Sequence, residues 1–111
     1  MRDDRTLLAD IYDQIEYIEQ DVRLGHALFD KDRHLQDSIA LRIGYIGEAL
    51  SKMSADFRKK HPEIPWEEAV GMRAKLFHDY FDIDKELIWK TAAEDIPVLK
   101  ATISSLLKEN G

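Results

Sequence analysis

The spacing of apolar residues constrains this chain more than any other feature. Leu7, Ile11, Ile15, Ile18 and Val22 step by four, four, three and four, which draws one stripe along one face of a helix. A second stripe runs through Leu35, Ile39, Ile43, Ile46, Leu50 and Met53. Trp66, Ala69, Val70, Leu76 and Phe77 make a third; Leu87, Ile88 and Thr91 open a fourth, and Leu99, Ile103, Leu106 and Leu107 continue it or begin a fifth. No strand-like alternation, internal repeat or low-complexity tract interrupts them. Long amphipathic helices with short connections predict an all-α fold, an antiparallel up-and-down bundle of four to five helices in a single domain over residues 1–111.

Local punctuation sets the boundaries. Asp3 or Asp4 can cap the first helix, and Gly25 is its expected stop. Asp30 or Asp32 opens a helix reaching about Met53. Gly44 and Gly47 inside it each cost about 1 kcal/mol relative to Ala, so they predict close approach by another backbone. Ser54 caps a short turn to Lys60, and 61–65 is extended because residues before proline avoid helical dihedrals. Pro65 then opens the third helix, Phe81-Asp82-Ile83-Asp84 breaks it, and Asp84 caps the next. Pro97 demands a disturbance, either a kink or a new helix start.

Composition excludes several classes. The net charge of −6 argues against a general phosphate-coating surface, although a local basic patch can still serve an RNA substrate. The chain has no cysteine, which removes disulfides and thiolate metal sites. No apolar run is long enough to span a membrane, and the start Met1-Arg2-Asp3-Asp4-Arg5 lacks the apolar stretch of a signal peptide. A cytoplasmic protein is expected. The four histidines lack ligand spacing such as His-Glu-x-x-His, so no metal site and no cofactor are expected.

His26 and His34 read as solvated residues near the first connection, and Glu19 with Arg23 as a helix-supporting pair. Arg58, Lys59 and Lys60, next to His61, read either as a solvated face or as a phosphate anchor. Arg73-Ala74-Lys75-Leu76-Phe77-His78-Asp79-Tyr80 is different, because it gathers a guanidinium, an imidazole and a phenol at the end of one helix. An imidazole moves protons near neutrality, and a guanidinium stabilises the added charge of a pentacoordinate phosphorus. Metal-free cleavage of RNA, but not of DNA, needs those two functions. The stretch also has a purely structural reading: Arg73 paired with Glu67, Glu68 or Asp79, His78 satisfied in the interior, and Tyr80 in the core.

Helix geometry adds a constraint. At about 100° per residue, Arg73 and Tyr80 lie within about 20° of each other, whereas His78 lies about 140° from Arg73. A straight helix keeps the cation and the base apart. Either the helix distorts near His78, or two subunits pool their groups in a shared cleft. The second option also gives Gly44 and Gly47 a use as contact points between subunits, although packing within one subunit would use them equally well.

With these residues in hand, the sequence resembles the HepT-like branch of the HEPN superfamily from the first helix to about Leu107. The segments that carry the resemblance are Ile46-Gly47-Glu48-Ala49, Phe57 through Trp66, Gly71-Met72-Arg73 and His78-Asp79-Tyr80-Phe81. The resemblance implies a HEPN-type dimer and a metal-independent endoribonuclease with Arg73 and His78 catalytic, the toxin of a type VII toxin–antitoxin pair. It further implies a nucleotidyltransferase antitoxin of the MNT type that transfers AMP onto Tyr80, adding charge and bulk where a substrate phosphate would sit. Ala74 stands where a polar residue, commonly Asn, follows the motif arginine; Lys75 replaces an apolar residue and adds a further candidate phosphate contact, and Asp82 replaces a glycine. Two competing readings accompany this one: a catalytically idle dimer that serves as an interaction module for the nucleotidyltransferase, and a cleft that binds nucleotide without cutting.

Overall fold

Capping residues mark where each helix begins. In the computed structural model, which describes residues 3–109, the Asp3 carboxylate accepts a hydrogen bond from the Thr6 N–H at 2.8 Å and starts helix α1, Asp4–Val22. Met1 and Arg2, part of the polar start, lie outside the described residues. Asp32 caps the Leu35 N–H at 3.2 Å to open α3, Arg33–Ser51. Ser54 caps α4, Ala55–Lys60, and is itself held by Asp4. Pro65 precedes α5, Trp66–His78, and Asp84 caps α6, Lys85–Lys90. The segment between α1 and α3 is not a plain connection. Gly25, at φ 98°, turns the chain into a six-residue helix α2, His26–Lys31, which the buried Phe29 pins to the core.

The Pro97 disturbance is a local widening of one continuous helix. After α6 the backbone runs through a π-helical segment, Thr91–Asp95, and then α7, Ile96–Glu109. A wider turn removes the need for the hydrogen bond that a proline nitrogen cannot donate.

Helix α3 is the centre of the bundle, with α1 on one side and α5 on the other; α7 packs on α1. The two first stripes meet here: Leu8, Ile11, Ile15 and Ile18 of α1 and Ile39, Ile46 and Leu50 of α3 are buried, joined by Ile103 from α7. Gln36 is the buried polar residue of this core, and its side-chain amide donates to the Phe29 carbonyl at 2.8 Å, tying α2 to α3. There is no strand among the described residues, and no helix is long and apolar enough to cross a membrane. The fold is all-α, as the periodicity predicts.

The glycines of α3 are spent inside the chain. A Cβ on Gly44 would meet the Phe77 ring at 2.9 Å, and one on Gly47 would meet Arg73 Cβ at 2.7 Å and the Ala69 carbonyl oxygen at 2.8 Å. Their role is to let α5 lie tightly along α3, not to receive a second subunit. The expected Glu19–Arg23 pair is also replaced. Glu19 accepts from Lys100 of α7 at 2.7 Å, and this partner holds the Lys100 ammonium above its ordinary pKa.

Candidate active site

The tight seam between α3 and α5 fixes where Arg73 goes. Its Nε donates to Glu48 on α3, and its guanidinium carbon lies 5.9 Å from the centre of the Phe77 ring. Glu48 also receives Lys52 at 3.5 Å, and the hydrogen bond from Arg73 holds its carboxyl below the usual range. The partners that the sequence suggested for Arg73 were Glu67, Glu68 and Asp79; the partner found is Glu48, one residue after Gly47. The arginine is only half-hidden and keeps part of its surface open.

His78 is the last residue of α5 and is exposed, and its side chain makes no hydrogen bond or ion pair among the described residues. No distortion of α5 turns it toward Arg73, so within one chain the two stay on different faces of a regular helix. Asp79, at φ −128° and ψ 31°, redirects the backbone into a single 3-10 turn, Tyr80–Asp82. Tyr80 therefore leaves the α5 phase altogether. Its hydroxyl donates to Asp37 on α3, eleven residues before Glu48, so the two anchors are about 16 Å apart along α3. Burial, and then the bond to Asp37, push the Tyr80 phenol up to about 12, which keeps it protonated.

A cavity of about 390 Å³ opens beside Tyr80, lined by Phe81, Asp37 and the cations Lys31, Arg33 and Lys85. The sequence reading did not single out these three cations. They lie on three separate elements and share a site only through the fold. Next to the cavity, Leu41, Phe77 and Tyr80 border an apolar groove of about 250 Å³ between α3 and α5. Phe81 is 90% exposed, which is rare for a phenylalanine with no reason to face water.

The basic stretch of α4 is at the far end of α3. Arg58 turns inward, donating to the Ser51 carbonyl at 2.5 Å and lying over Trp66, so it closes the C-terminus of α3. Lys59 and Lys60 are exposed, as is Lys75 on α5. The His61 ring contacts Glu63 at 3.1 Å and packs against Phe57. The structure thus brings Tyr80 to Lys31, Arg33 and Lys85, and leaves Arg58, Lys59 and Lys60 near the opposite end of the α3–α5 seam.

Residues 11–106 match the family described as Ribonuclease HepT-like. The chain belongs to the HepT-like ribonuclease family. Its relatives include "Probable ribonuclease HepT" of Thermococcus cleftensis, 41% identical over 96% of this chain and 98% of the relative. A provisionally named RNase of Caldanaerobacter subterraneus is 33% identical over 98% of both chains. Another from Methanocaldococcus jannaschii is 32% identical over 95% of this chain and 90% of the relative. No solved structure matches significantly. Membership places this chain among RNA-cleaving enzymes.

Proposed function

We propose that this HepT-like chain is a metal-independent endoribonuclease, acting in the cytoplasm, whose cleft forms between two copies and pools Arg73 with His78. The observation that carries the reading is the division within α5: Arg73 is anchored to α3, while His78 ends the helix exposed and its side chain has no polar partner among the described residues. The exposed side chains of Leu41, Tyr45, Phe77 and Phe81 supply apolar area for a second copy. In the shared cleft His78 takes the proton of a ribose 2′-hydroxyl, whose oxygen attacks the adjacent phosphorus. Arg73 stabilises the added negative charge, the bond to the 5′-oxygen breaks, and protonated His78 gives that oxygen the proton it took from the 2′-hydroxyl. The products are a 2′,3′-cyclic phosphate and a 5′-hydroxyl; DNA has no attacking group. Purified protein in chelator is expected to cut RNA to those ends and its expression to arrest growth, and His78→Ala and Arg73→Ala are each expected to lower cutting by orders of magnitude and to relieve the arrest. Equal cleavage by all three proteins would defeat the reading.

The toxin role and its control belong to the same proposal. An MNT-type nucleotidyltransferase transfers AMP from ATP to the Tyr80 oxygen: the α–β phosphoanhydride bond breaks, pyrophosphate leaves, and the phenol gives up its proton and its contact with Asp37, while the new phosphate occupies the cavity rimmed by Lys31, Arg33 and Lys85. Incubation with that partner and ATP is expected to add mass in AMP units, and Tyr80→Phe to block the addition. The reading as an idle dimer that only binds the nucleotidyltransferase draws support from Ala74 and from the engagement of Arg73 by Glu48. Tight binding of the partner by a dimer that cuts no RNA would favour it.

A further inference from the structure

We propose that His26, Asp30 and Glu86 form a site for a divalent transition-metal ion of the Zn²⁺ type, which ties α2 to α6. The site is independent of the RNA-cleaving motif and uses none of its residues. His26 Nε2 lies 2.9 Å from Glu86 Oε1 and 3.4 Å from Asp30 Oδ1, and the three donor atoms lie within 4.8 Å of one another. Zn–N and Zn–O bonds of about 2.0–2.2 Å at tetrahedral angles place neighbouring donors about 3.3 Å apart. The histidine–carboxylate separations are close to this already, and the two carboxylates close the rest by rotating exposed side chains.

The histidine is also preoriented. Its ring stacks on Trp89 with centroids 4.7 Å apart and planes 7° from parallel, which directs Nε2 at both carboxylates. His26 and Asp30 are one turn apart on α2, and Glu86 comes from α6, sixty residues along the chain. One imidazole and two carboxylates suit a borderline ion better than a soft one, and a neutral imidazole with two carboxylates balances its charge. The ion takes the place of the proton that His26 now shares with the carboxylates, and water completes its coordination. A helix of six residues has little stability of its own. The staple would fix α2, and with it Asp30 and Lys31 on the rim of the Tyr80 cavity.

The test titrates Zn²⁺ into chelator-stripped full-length protein by calorimetry. One ion per chain is expected to bind, with a rise in Tm, and His26→Ala or Glu86→Gln to weaken affinity about tenfold or more. His34→Ala, at an exposed histidine outside the cluster, is expected to leave affinity unchanged. With Trp66→Phe leaving Trp89 as the sole tryptophan, Co²⁺ should quench fluorescence at the same stoichiometry. Equal affinity in wild type and His26→Ala, absence of binding, or binding that leaves Trp89 fluorescence untouched would each overturn the site.

Discussion

Along the middle of α5 the backbone lies so close to α3 that a methyl group on Gly47 would stand 2.7 Å from Arg73 Cβ. Five residues later His78 stands in water with no polar partner among the described residues. The contrast separates two requirements of phosphate chemistry. A cation that stabilises a charge at one point benefits from a fixed backbone and a carboxylate brace, and Glu48 supplies the brace. A proton carrier must be reachable, and His78, which has that part in the proposed reaction, stands exposed at a helix end. With one group fixed and the other exposed on different faces of a helix, the proposed cleft takes its arginine from one chain and its histidine from the other.

The largest expected effect is at the open end. His78→Ala should lower RNA cleavage by about 10²–10⁴-fold while changing stability by less than about 0.5 kcal/mol, read as rate against Tm on one preparation. A parallel loss of stability would show that His78 is a structural residue and erase the contrast. At the seam the order reverses. Gly47→Ala should cost about 1–3 kcal/mol in urea unfolding, because the added carbon meets the Ala69 carbonyl, a backbone atom that cannot swing away. Gly71→Ala on the outer side of α5, with nothing within 4 Å of the new carbon, should instead gain about 0.5–1 kcal/mol. If both glycines behave alike, the seam is looser than its geometry requires.

The smallest effect lies at the α2–α6 edge. The hydrogen bond to Glu86 raises the His26 pKa above its ordinary value of 6.5, with Asp30 adding to it. A raised folded-state pKa contributes stability that is fully present below the unfolded value and is lost as pH rises through the folded one. In chelator, the Tm advantage of wild type over Glu86→Gln should therefore be larger at about pH 6 than under alkaline conditions. A pH-independent difference would remove the ion pair from the account.

The legible part of this structure is the part encoded locally. The stripe of α1, the caps Asp3, Asp32, Ser54 and Asp84 and the extended stretch before Pro65 all follow from residues a few positions apart. Helix α2 was not legible, because six residues with one buried side chain show no period. Pro97 announced a disturbance, but only the packing of α6 and α7 against their neighbours makes it a π-helical turn within one helix. The motif residues could be named from the sequence, whereas their partners could not. Glu48 and Asp37 are 25 and 43 residues from Arg73 and Tyr80, and no local rule pairs them. The segment Ile46-Gly47-Glu48-Ala49 was visible as family-like, which marked Glu48 without giving its contact. Gly44 and Gly47 announced close approach, and the approaching element is α5 of the same chain.

Mixing two inactive variants tests the shared cleft most directly. Arg73→Ala and His78→Ala chains, unfolded together and refolded, should form mixed dimers in which one cleft receives an intact arginine from one chain and an intact histidine from the other. A two-fold dimer of this kind has two such clefts, so random pairing restores about a quarter of wild-type RNA cleavage: about half the dimers are mixed, and each of these has one competent cleft of its two. Activity no higher than that of either variant alone, in a sample shown to contain mixed dimers, or a wild-type chain that cleaves RNA as a monomer, would contradict the account.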